Sequence, residues 1–395
     1  MNRYRWLRHT LSFIFSVFLC VFAEAQNVTV RFGESKLLYD NRYYPELFGP
    51  QSPVIPSLNV KLGWEDHSDT PFAAICNHAE YGIGFNVDML GIASVANGPG
   101  IGNIYSVYGY IDRPWLRVGR FSFGYTAGWG LGLCFNNLYD QVSNPWNIMI
   151  SFPVNAHATL GVQSRYAFSD SYDVGLGLWF NHYSNGAINF QNKGYNGFEL
   201  GVSIGKKDPR YAVARRVENL NKTVATNVKY HDGFRPHFQF DLQATAGVMA
   251  VEAYFDHTQE ETGIGENLRK MKYAFEADCL YKYCRTHASG LGFDMFVTPF
   301  CELIAASNGR GESYDPVSVG ISALHEFCFH DLTVMVGVGR YLYDNDGLAR
   351  NKILYQLVNM KYHFPQFNDL YVGMVLKAHK FMAAECVQYC FGIRF

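Results

Sequence analysis

The stretch DVGLGLWFNHYS, residues Asp173–Ser184, alternates large apolar residues with small or polar ones. Successive side chains of an extended strand point to opposite faces, so Val174, Leu176 and Leu178 would lie together on one face. The same period of two runs through three further segments, Phe121–Leu133, Asn155–Phe168 and His237–Thr245. This alternation predicts an all-β fold built from long strands.

The polar faces and the strand lengths favour a membrane barrel over a soluble sandwich, which alternates in the same way. Strands of about ten residues fit a tilted membrane crossing better than the five or six residues usual in soluble sheets. Arg165 and Asp241 lie opposite continuous apolar faces, as expected for a polar lumen inside a lipid-facing wall. We therefore predict a transmembrane antiparallel β-barrel of about sixteen strands, within a range of about 14–16.

The composition agrees with this fold and excludes several other classes. Aromatic residues make up 16% of the chain and charged residues 17%, and the formal charge of −2 gives no reason to expect nucleic acid as a partner. Eight of the nine cysteines follow Cys20, and no two are spaced as CxxC. Zinc spacing is absent, so we predict no metal, no cofactor and no dense disulfide framework.

The last nine residues, VQYCFGIRF (Val387–Phe395), again alternate, with Tyr389 and Phe391 on the face of the terminal Phe395. Such a strand resembles the assembly signal of bacterial outer-membrane barrels, and the resemblance implies insertion by the barrel-assembly machinery. A closed barrel is one of the two ways in which a chain can satisfy all its backbone polar groups in lipid.

Residues 1–25 are predicted to form a secretory signal peptide. Arginines near the start precede a short apolar run, Leu11–Phe22, and the small residues Ala23 and Ala25 stand before Gln26. The run is too short for a membrane-spanning helix. Cleavage before Gln26 would export the mature chain, and we predict the outer membrane of a Gram-negative bacterium as its location.

The polar stretch 206–234 divides the mature chain, 26–395, into segments 26–205 and 235–395. We predict that the two segments are halves of one barrel, and two separate barrels remain an alternative. Because outer-membrane barrels have short periplasmic turns and longer outer loops, the connection lengths also predict the orientation. Short periplasmic turns are expected at Phe168–Asp173, Phe329–Asp331 and Pro365–Asp369, and outer loops at Cys134–Asn147, Asn185–Tyr195, His257–Lys270 and Ile304–Asp315.

His182 and Ser184 continue the aliphatic face of Asp173–Ser184 and stand at its outer rim. Residues i and i+2 of a strand project the same way, so an imidazole and a hydroxyl at this spacing can form a nucleophile and its base. A polar pair at a lipid-facing rim suits an enzyme whose substrate is a membrane lipid. The alternative is a polar strand end in the interfacial belt.

Asn196, on the next strand, is the predicted third catalytic residue. It falls on the apolar side of that strand and can reach His182, whereas Glu199 falls on the lumen side. A third group of this kind orients the base. Asn185 and Gly186 are predicted as weaker oxyanion-stabilising or substrate-orienting residues, because the N–H groups of a glycine-containing loop can bind an oxyanion.

The motif HYSNG (His182–Gly186), followed by QNKGYN (Gln191–Asn196), resembles the lipid A 3-O-deacylase family of outer-membrane barrels, also known as acyloxyacyl hydrolases. The larger two-part barrels of Bacteroidetes are most similar in overall shape, with 26–205 as the deacylase-like half. The resemblance implies a His-x-Ser pair with a Glu that removes an ester-linked acyl chain from lipid A. That Glu corresponds in position to Asn196.

The same motif also resembles outer-membrane phospholipase A, whose His, Ser and Asn match His182, Ser184 and Asn196. Its calcium-binding Asp and Ser correspond to Asn189 and Asn192, so calcium dependence is not implied. A non-enzymatic, porin-like barrel is the alternative from another functional class.

The segment DLYVGMVLKAHKF (Asp369–Phe381) matches the site strand in outline, but its alternation places His379 on the opposite face, beside Lys377. No second active site is therefore predicted. The expected partners are lipopolysaccharide or phospholipid as substrate, the surrounding outer-membrane lipid and the assembly machinery. The sequence makes no prediction of oligomeric state.

Overall fold

The computed structural model describes residues 25–38, 45–49, 52–66, 73, 76–93, 95–189, 192–208, 234–250, 269–303, 314–346, 353–379 and 383–395. Nearly all of the predicted signal peptide, most of the connection 206–234 and much of the predicted loops His257–Lys270 and Ile304–Asp315 lie outside these residues. Within the described part of the chain, no helix is long and apolar enough to cross a membrane.

Sixteen antiparallel strands form two closed barrels of eight strands each. The first barrel contains β1 (Asn27–Leu37), β2 (Val54–Glu65), β3 (Glu80–Asp88), β4 (Ile104–Val118), β5 (Phe121–Cys134), β6 (Val154–Ala167), β7 (Tyr172–Ser184) and β8 (Tyr195–Lys207). The second contains β9 (His237–Ala250), β10 (Arg269–Cys284), β11 (His287–Val297), β12 (Val317–Phe329), β13 (Leu332–Tyr343), β14 (Leu354–Phe364), β15 (Leu370–His379) and β16 (Ala383–Arg394). Short helical segments are α1 (Pro45–Phe48) and the 3-10 turns Leu90–Ile92 and Pro365–Phe367.

The first barrel closes where β8 pairs with β1, from Asn27 opposite Lys207 to Leu37 opposite Gly197. The all-β fold and the number of strands confirm the prediction. The strands do not close into one ring, however, and the arrangement is the two-barrel alternative. The physical reason is that pairing with β1 satisfies the free edge of β8, so the eight strands leave no edge open.

The second barrel closes where the terminal strand β16 pairs with β9, between Gln388 opposite Gly247 and Arg394 opposite Asp241. The backbone of Phe395 exchanges two hydrogen bonds with that of Phe240, at 2.9 and 3.1 Å. Tyr389, Phe391 and Phe395 are exposed on the outer face of this strand, as the alternation predicts.

Both barrels carry their apolar side chains outside and their polar side chains inside. On β7 and β8, Leu176 is 54% exposed and Leu200 60% exposed, whereas Asp173 and Glu199 are buried. A soluble protein would bury the leucines and expose the carboxylates. The inversion is that of a transmembrane barrel, whose wall contacts lipid.

Packed side chains fill the interior of the first barrel. The Arg31 guanidinium lies 3.9 Å from the ring centroid of Trp179 and forms an ion pair with Glu199 at 2.7 Å. Trp179 lies against Gly161, where an added Cβ would come within 2.2 Å of the indole Cδ1. Side chains thus fill the lumen around Trp179, as is usual for an eight-stranded barrel. The eight cysteines among the described residues are free thiols.

Connections at one end of the barrels are short, as predicted. β6 and β7 are joined by residues 168–171, β12 and β13 by 330–331, and β14 and β15 by 365–369. His330, Asn368 and Asp369 adopt positive φ angles of 53–55°, a backbone region that Asn and Asp tolerate better than most residues. Residues 135–153 and 185–194 form longer connections, at the opposite ends of their strands.

Candidate active site

The pairing of β7 with β8 places His182 directly opposite Asn196. The His182 Nδ1 lies 2.7 Å from the Asn196 Oδ1 across the two strands. An amide oxygen only accepts hydrogen bonds, so Nδ1 carries the ring proton and donates it to Asn196. In this tautomer the Nε2 of His182 has a free lone pair and can act as a base.

An apolar track on the outer wall runs up to this pair. The next cross-strand pair on the same face is Phe180 opposite Phe198, whose ring centroids are 5.4 Å apart. Beyond them, Leu178 and Leu200 form a further exposed pair. An aliphatic chain lying along this face would therefore lead directly to His182.

Ser184 is buried at the end of β7 and accepts two hydrogen bonds. The Gly186 N–H donates to Ser184 Oγ at 3.1 Å, and the Asn192 side-chain amide donates at 2.9 Å. Among the described residues, no hydrogen bond joins His182 to Ser184. His182 and Ser184 thus share a strand face without a direct hydrogen bond. Catalytic hydrogen bonds are often long or poorly aligned without substrate, so this geometry alone does not exclude the pair.

A tight turn aims the Gly186 N–H at Ser184. The Ile188 N–H donates to the Asn185 carbonyl at 3.3 Å, and the two central residues, Gly186 and Ala187, have φ angles of 63° and 64°. Positive φ at both central positions is typical of a type I′ turn, which glycine favours and alanine does not. The alanine is thus held in a conformation that L-residues seldom adopt, next to the candidate nucleophile.

Asn185 takes a different place from the one that the sequence predicts. Its side-chain amide donates to Ser151 Oγ at 3.1 Å and to the Asn189 carbonyl at 3.2 Å. The side chain is 3% exposed, and its amide protons hold the loop together. Of the two predicted orienting residues, only Gly186 directs a donor at Ser184.

Asn192 is the residue that sequence reasoning missed as a partner of Ser184. Its Oδ1 accepts the Asn185 N–H at 3.2 Å, which turns its Nδ2 toward Ser184. Its only sequence signal is the polar QNKG run, because a loop has no side-chain period from which to read its direction.

Glu199 lies inside the barrel, as predicted, and does not reach His182. It pairs with Arg31 and accepts a hydrogen bond from the Asn181 amide at 2.8 Å. The orienting partner of His182 is therefore the neutral Asn196.

A cavity of about 390 Å³ in the first barrel lies away from this constellation, toward the short turns. Glu80, Asp112 and Arg165 are among its lining residues, which do not include His182 or Ser184. The candidate site is thus separate from this cavity.

Comparison with solved structures returns other membrane barrels at low similarity. The crystal structure of Neisserial surface protein A has a TM-score of 0.31 and 13% identity, covering 46% of this chain and 96% of its own. The outer membrane enzyme PagL has a TM-score of 0.29 and 14% identity, covering 45% of this chain and 97% of its own. The ferric enterobactin receptor PfeA has a TM-score of 0.24 and 11% identity, covering 89% of this chain and 53% of its own.

TM-scores this low do not support a fold assignment, so the assignment rests on the strand pairing within this chain. None of the curated proteins compared with the chain matches it. A family model does match, over the second barrel and the segment before it. Residues 220–395 match the family described as acyloxyacyl hydrolase, C-terminal domain, the family that the sequence resembles. The matched residues belong to the second barrel and the segment before it, and they do not include the motif of His182 and Ser184.

Proposed function

We propose that this protein is an outer-membrane lipid-ester hydrolase that removes an ester-linked acyl chain from lipid A. The observation that carries the proposal is the bond between His182 and Asn196 on the lipid-facing wall, with Ser184 on the same strand face. The family match over residues 220–395 supports a carboxylic ester hydrolase. The outward apolar surfaces of both barrels support a location in the outer membrane of a Gram-negative bacterium.

In the proposed reaction, His182 Nε2 takes the hydroxyl proton of Ser184 as the oxygen attacks the ester carbonyl carbon. The protonated imidazole then gives this proton to the departing alcohol oxygen of the lipid, and an acyl-serine remains. A water, deprotonated by the same nitrogen, attacks the acyl-serine and releases a fatty acid. Asn196 holds the ring in the required tautomer throughout, but stabilises the imidazolium less than a carboxylate would.

The two donors on Ser184 supply the means to stabilise the tetrahedral intermediate. The Gly186 N–H and the Asn192 amide lie 3.1 and 2.9 Å from Oγ, the atom that would bond to the attacked carbonyl carbon. Donors placed where negative charge develops lower the barrier more than donors that bind the ground state. We assign Gly186 and Asn192 this role.

The outer wall supplies the substrate contacts. The exposed side chains of Leu178, Phe198 and Leu200 form an apolar surface below the site, on which an acyl chain of a membrane lipid would lie. Lipid A and phospholipid both carry such chains, and a phospholipase A activity is therefore the second candidate. A porin-like function is less well supported, since the ion pair of Arg31 with Glu199 and the Trp179 ring occupy the lumen of the first barrel beyond its cavity.

The test is mass spectrometry of lipid A from cells that produce the wild-type chain or the Ser184→Ala variant. Wild-type protein should yield lipid A that lacks one acyl chain, and the variant should leave lipid A intact. The second barrel offers a matched control in Ser289, which also lies on an outer face and bonds to His325 Nδ1 at 2.9 Å. Ser289→Ala should act as the wild type does.

Unchanged lipid A in cells with abundant, folded wild-type protein would contradict the proposal. Accumulation of lysophospholipid without a change in lipid A would select the phospholipase instead. Equal loss of activity in Ser184→Ala and Ser289→Ala would show that the serine hydroxyl of the first barrel has no special role.

A further inference from the structure

Three carboxylates meet inside the second barrel, on the lumen faces of β10 and β11. Glu276 stands opposite Asp294 in the strand register, and Asp278 follows two residues after Glu276 on the same face. One oxygen from each carboxylate lies within 4.8 Å of one oxygen of each of the others. All three side chains are buried, with exposures of 4%, 3% and 0% for Glu276, Asp278 and Asp294.

A fourth oxygen points at the same place from the neighbouring strand β12. Gly292 stands opposite both Asp278 and Ser322. A Cβ added to Gly292 would lie 2.6 Å from Ser322 Oγ and 2.7 Å from Asp278 Oδ1, so both oxygens project over this glycine. The Ser322 Oγ is buried and forms no hydrogen bond of good geometry among the described residues, although it lies close enough to Asp294 to interact with that carboxylate.

The cations nearest to this cluster are largely committed elsewhere. Lys361 contacts Asp241 at 2.9 Å but Asp278 only at 3.6 Å. Arg394 binds Asp241 at 2.7 Å and Glu326 at 2.6 Å. Among the described residues, the ion pairs of the five carboxylates in this part of the lumen involve these two cations, and a third cation, Lys377, attracts Asp294 from farther away while it contacts Glu385 at 3.5 Å.

Neutral donors satisfy the cluster only in part. Glu276 accepts a hydrogen bond from the Gln243 amide, and Asp294 accepts one from the Tyr355 hydroxyl. Glu276 Oε1, both carboxylate oxygens of Asp278 and Asp294 Oδ1 have no hydrogen-bond donor among the described residues. Burial of an ionised carboxylate without a partner is costly, so these oxygens require a further positive charge.

Two buried carboxylates of the first barrel are paired more closely. Asp112 is paired with both Lys61 at 2.8 Å and Arg165 at 3.1 Å, and Glu199 is paired with Arg31 at 2.7 Å. Asp112 and Glu199 thus have cations directly beside them. In the cluster on β10 and β11 the corresponding contact is longer, with Lys361 at 3.6 Å from Asp278, and no ion pair is formed by Glu276 or Asp294 among the described residues.

The geometry points to a divalent-cation site of the calcium type, formed by Glu276, Asp278, Asp294 and Ser322. Its donors are all oxygens, three of them anionic, which is the ligand set of a hard cation. Ca²⁺ binds oxygens at about 2.3–2.6 Å, so ligands on opposite sides of the ion stand about 5 Å apart, whereas Mg²⁺ requires a tighter shell. The three carboxylate oxygens lie within 4.8 Å of one another, close enough for one ion of this size to contact all three.

The bound ion would join three adjacent strands, β10, β11 and β12, and neutralise most of the local charge. This inference departs from the sequence prediction of no metal. The Glu-x-Asp pair on β10 is visible in the sequence, but Asp294 and Ser322 join it only through the strand register. The site is independent of the proposed hydrolysis, because it lies in the second barrel and contains none of the catalytic residues.

The test is direct Ca²⁺ binding to the full-length chain, folded in detergent and stripped of metal with a chelator. Equilibrium dialysis with radioactive Ca²⁺ should detect one ion that the double variant Asp278→Asn, Asp294→Asn does not bind. Thermal unfolding of the wild type should move to higher temperature on addition of CaCl₂, because the ion binds the folded state. The double variant should show no such shift.

The serines of β12 give a matched pair that avoids a change of charge. Ser322→Ala should weaken Ca²⁺ binding about tenfold, the scale typical of lost supporting contacts at metal sites. Ser318→Ala should leave it unchanged, because the Ser318 hydroxyl donates to Asp344 at 2.7 Å instead.

Absence of saturable Ca²⁺ binding by the wild type would overturn the inference. It would indicate that protonation of the carboxylates, and not a bound ion, reduces their negative charge. Retention of the ion by the double variant would place it elsewhere and also overturn it. The assignment of Ser322 would fall if both serine variants weakened binding equally.

Discussion

The two barrels each have a histidine near the end of a corresponding strand, and the two histidines face opposite ways. His182 on β7 lies on the outer wall and bonds to a neutral amide, that of Asn196. His379 on β15 is 1% exposed in the lumen, where its Nε2 contacts the Glu385 carboxylate. Lys377 projects into the same lumen and contacts Glu385 at 3.5 Å.

The difference shows that the face of the strand on which a histidine lies decides whether it contacts lipid or the lumen. A shift of one residue along a strand moves a side chain from lipid to lumen. On the outer wall a histidine keeps a free nitrogen for a substrate, whereas in the lumen it becomes part of an ion cluster. The same residue type at the same strand end thus has two separate roles.

Replacement of the two histidines should give the largest contrast. His182→Gln should lower the rate of lipid deacylation at least about a thousandfold, because the serine loses its base. His379→Gln should leave the rate unchanged and destabilise the second barrel by about 1–3 kcal/mol, because the buried Glu385 loses a partner. Lipid A mass spectrometry over a time course and thermal unfolding measure the two effects. A similar loss of activity in both variants would contradict the assignment.

The buried ion pairs allow the two barrels to be unfolded separately. Glu199→Gln should destabilise the first barrel by about 3–5 kcal/mol, since Arg31 would remain buried without its counter-ion. The six tryptophans all precede residue 180, so tryptophan fluorescence reports on the first barrel alone. Denaturant midpoints followed by this fluorescence should therefore shift for Glu199→Gln.

Glu385→Gln in the second barrel is the control for that measurement. Its partners are Lys272, Lys377 and His379, and its effect should appear in circular dichroism but leave the tryptophan transition in place. An equal shift of the tryptophan transition in both variants would show that the two barrels unfold together.

Asn196 should matter less than His182, because it orients the base without taking part in bond formation. Asn196→Ala should reduce kcat about ten- to a hundredfold, with little change in KM. Asn196→Glu should raise kcat above that of the wild type, because a carboxylate stabilises the imidazolium better than an amide does. Kinetics with purified protein and lipid A in mixed micelles test both variants. A lower kcat for Asn196→Glu would contradict the idea that stabilisation of the His182 imidazolium limits the rate.

The smallest effect is expected for the loop donor Asn192. Asn192→Ala removes one of two donors to Ser184. It should reduce kcat by less than the loss of about 10²–10³-fold that removal of a well-placed oxyanion donor causes, because the Gly186 N–H remains. Asn189 is a suitable control, because its side chain donates to the Ser151 carbonyl at 3.0 Å and not to Ser184. The same kinetic assay distinguishes them, and a larger loss with Asn189→Ala would assign the main role to loop structure instead.

Sequence alone predicts those features that depend on the period of a strand. The facing of His182, Ser184 and Asn196 follows from alternation along two consecutive strands, and the structure pairs His182 with Asn196 as expected. The opposite facing of His379 follows from the same rule. Their catalytic roles remain predictions until the variants are measured.

Features that depend on pairing between distant segments, or on loops, could not be predicted. The alternation of apolar and polar residues along β1 and β8 does not depend on which strand each one pairs with. One barrel and two barrels would therefore show the same sequence pattern. The hydrogen bond from Asn192 to Ser184 lies in a loop, where side-chain direction has no period. The meeting of Asp294 with Ser322 requires the register of β11 against β12.

Separate closure of the two barrels has a consequence for the measurement of stability. Every strand of each barrel has both its hydrogen-bonded neighbours within the same set of eight. Each set is therefore a complete unit of cooperativity, and the chain need not melt in one all-or-none step. A single midpoint or free energy of unfolding for the whole chain would then average two quantities, each belonging to a different ring of strands.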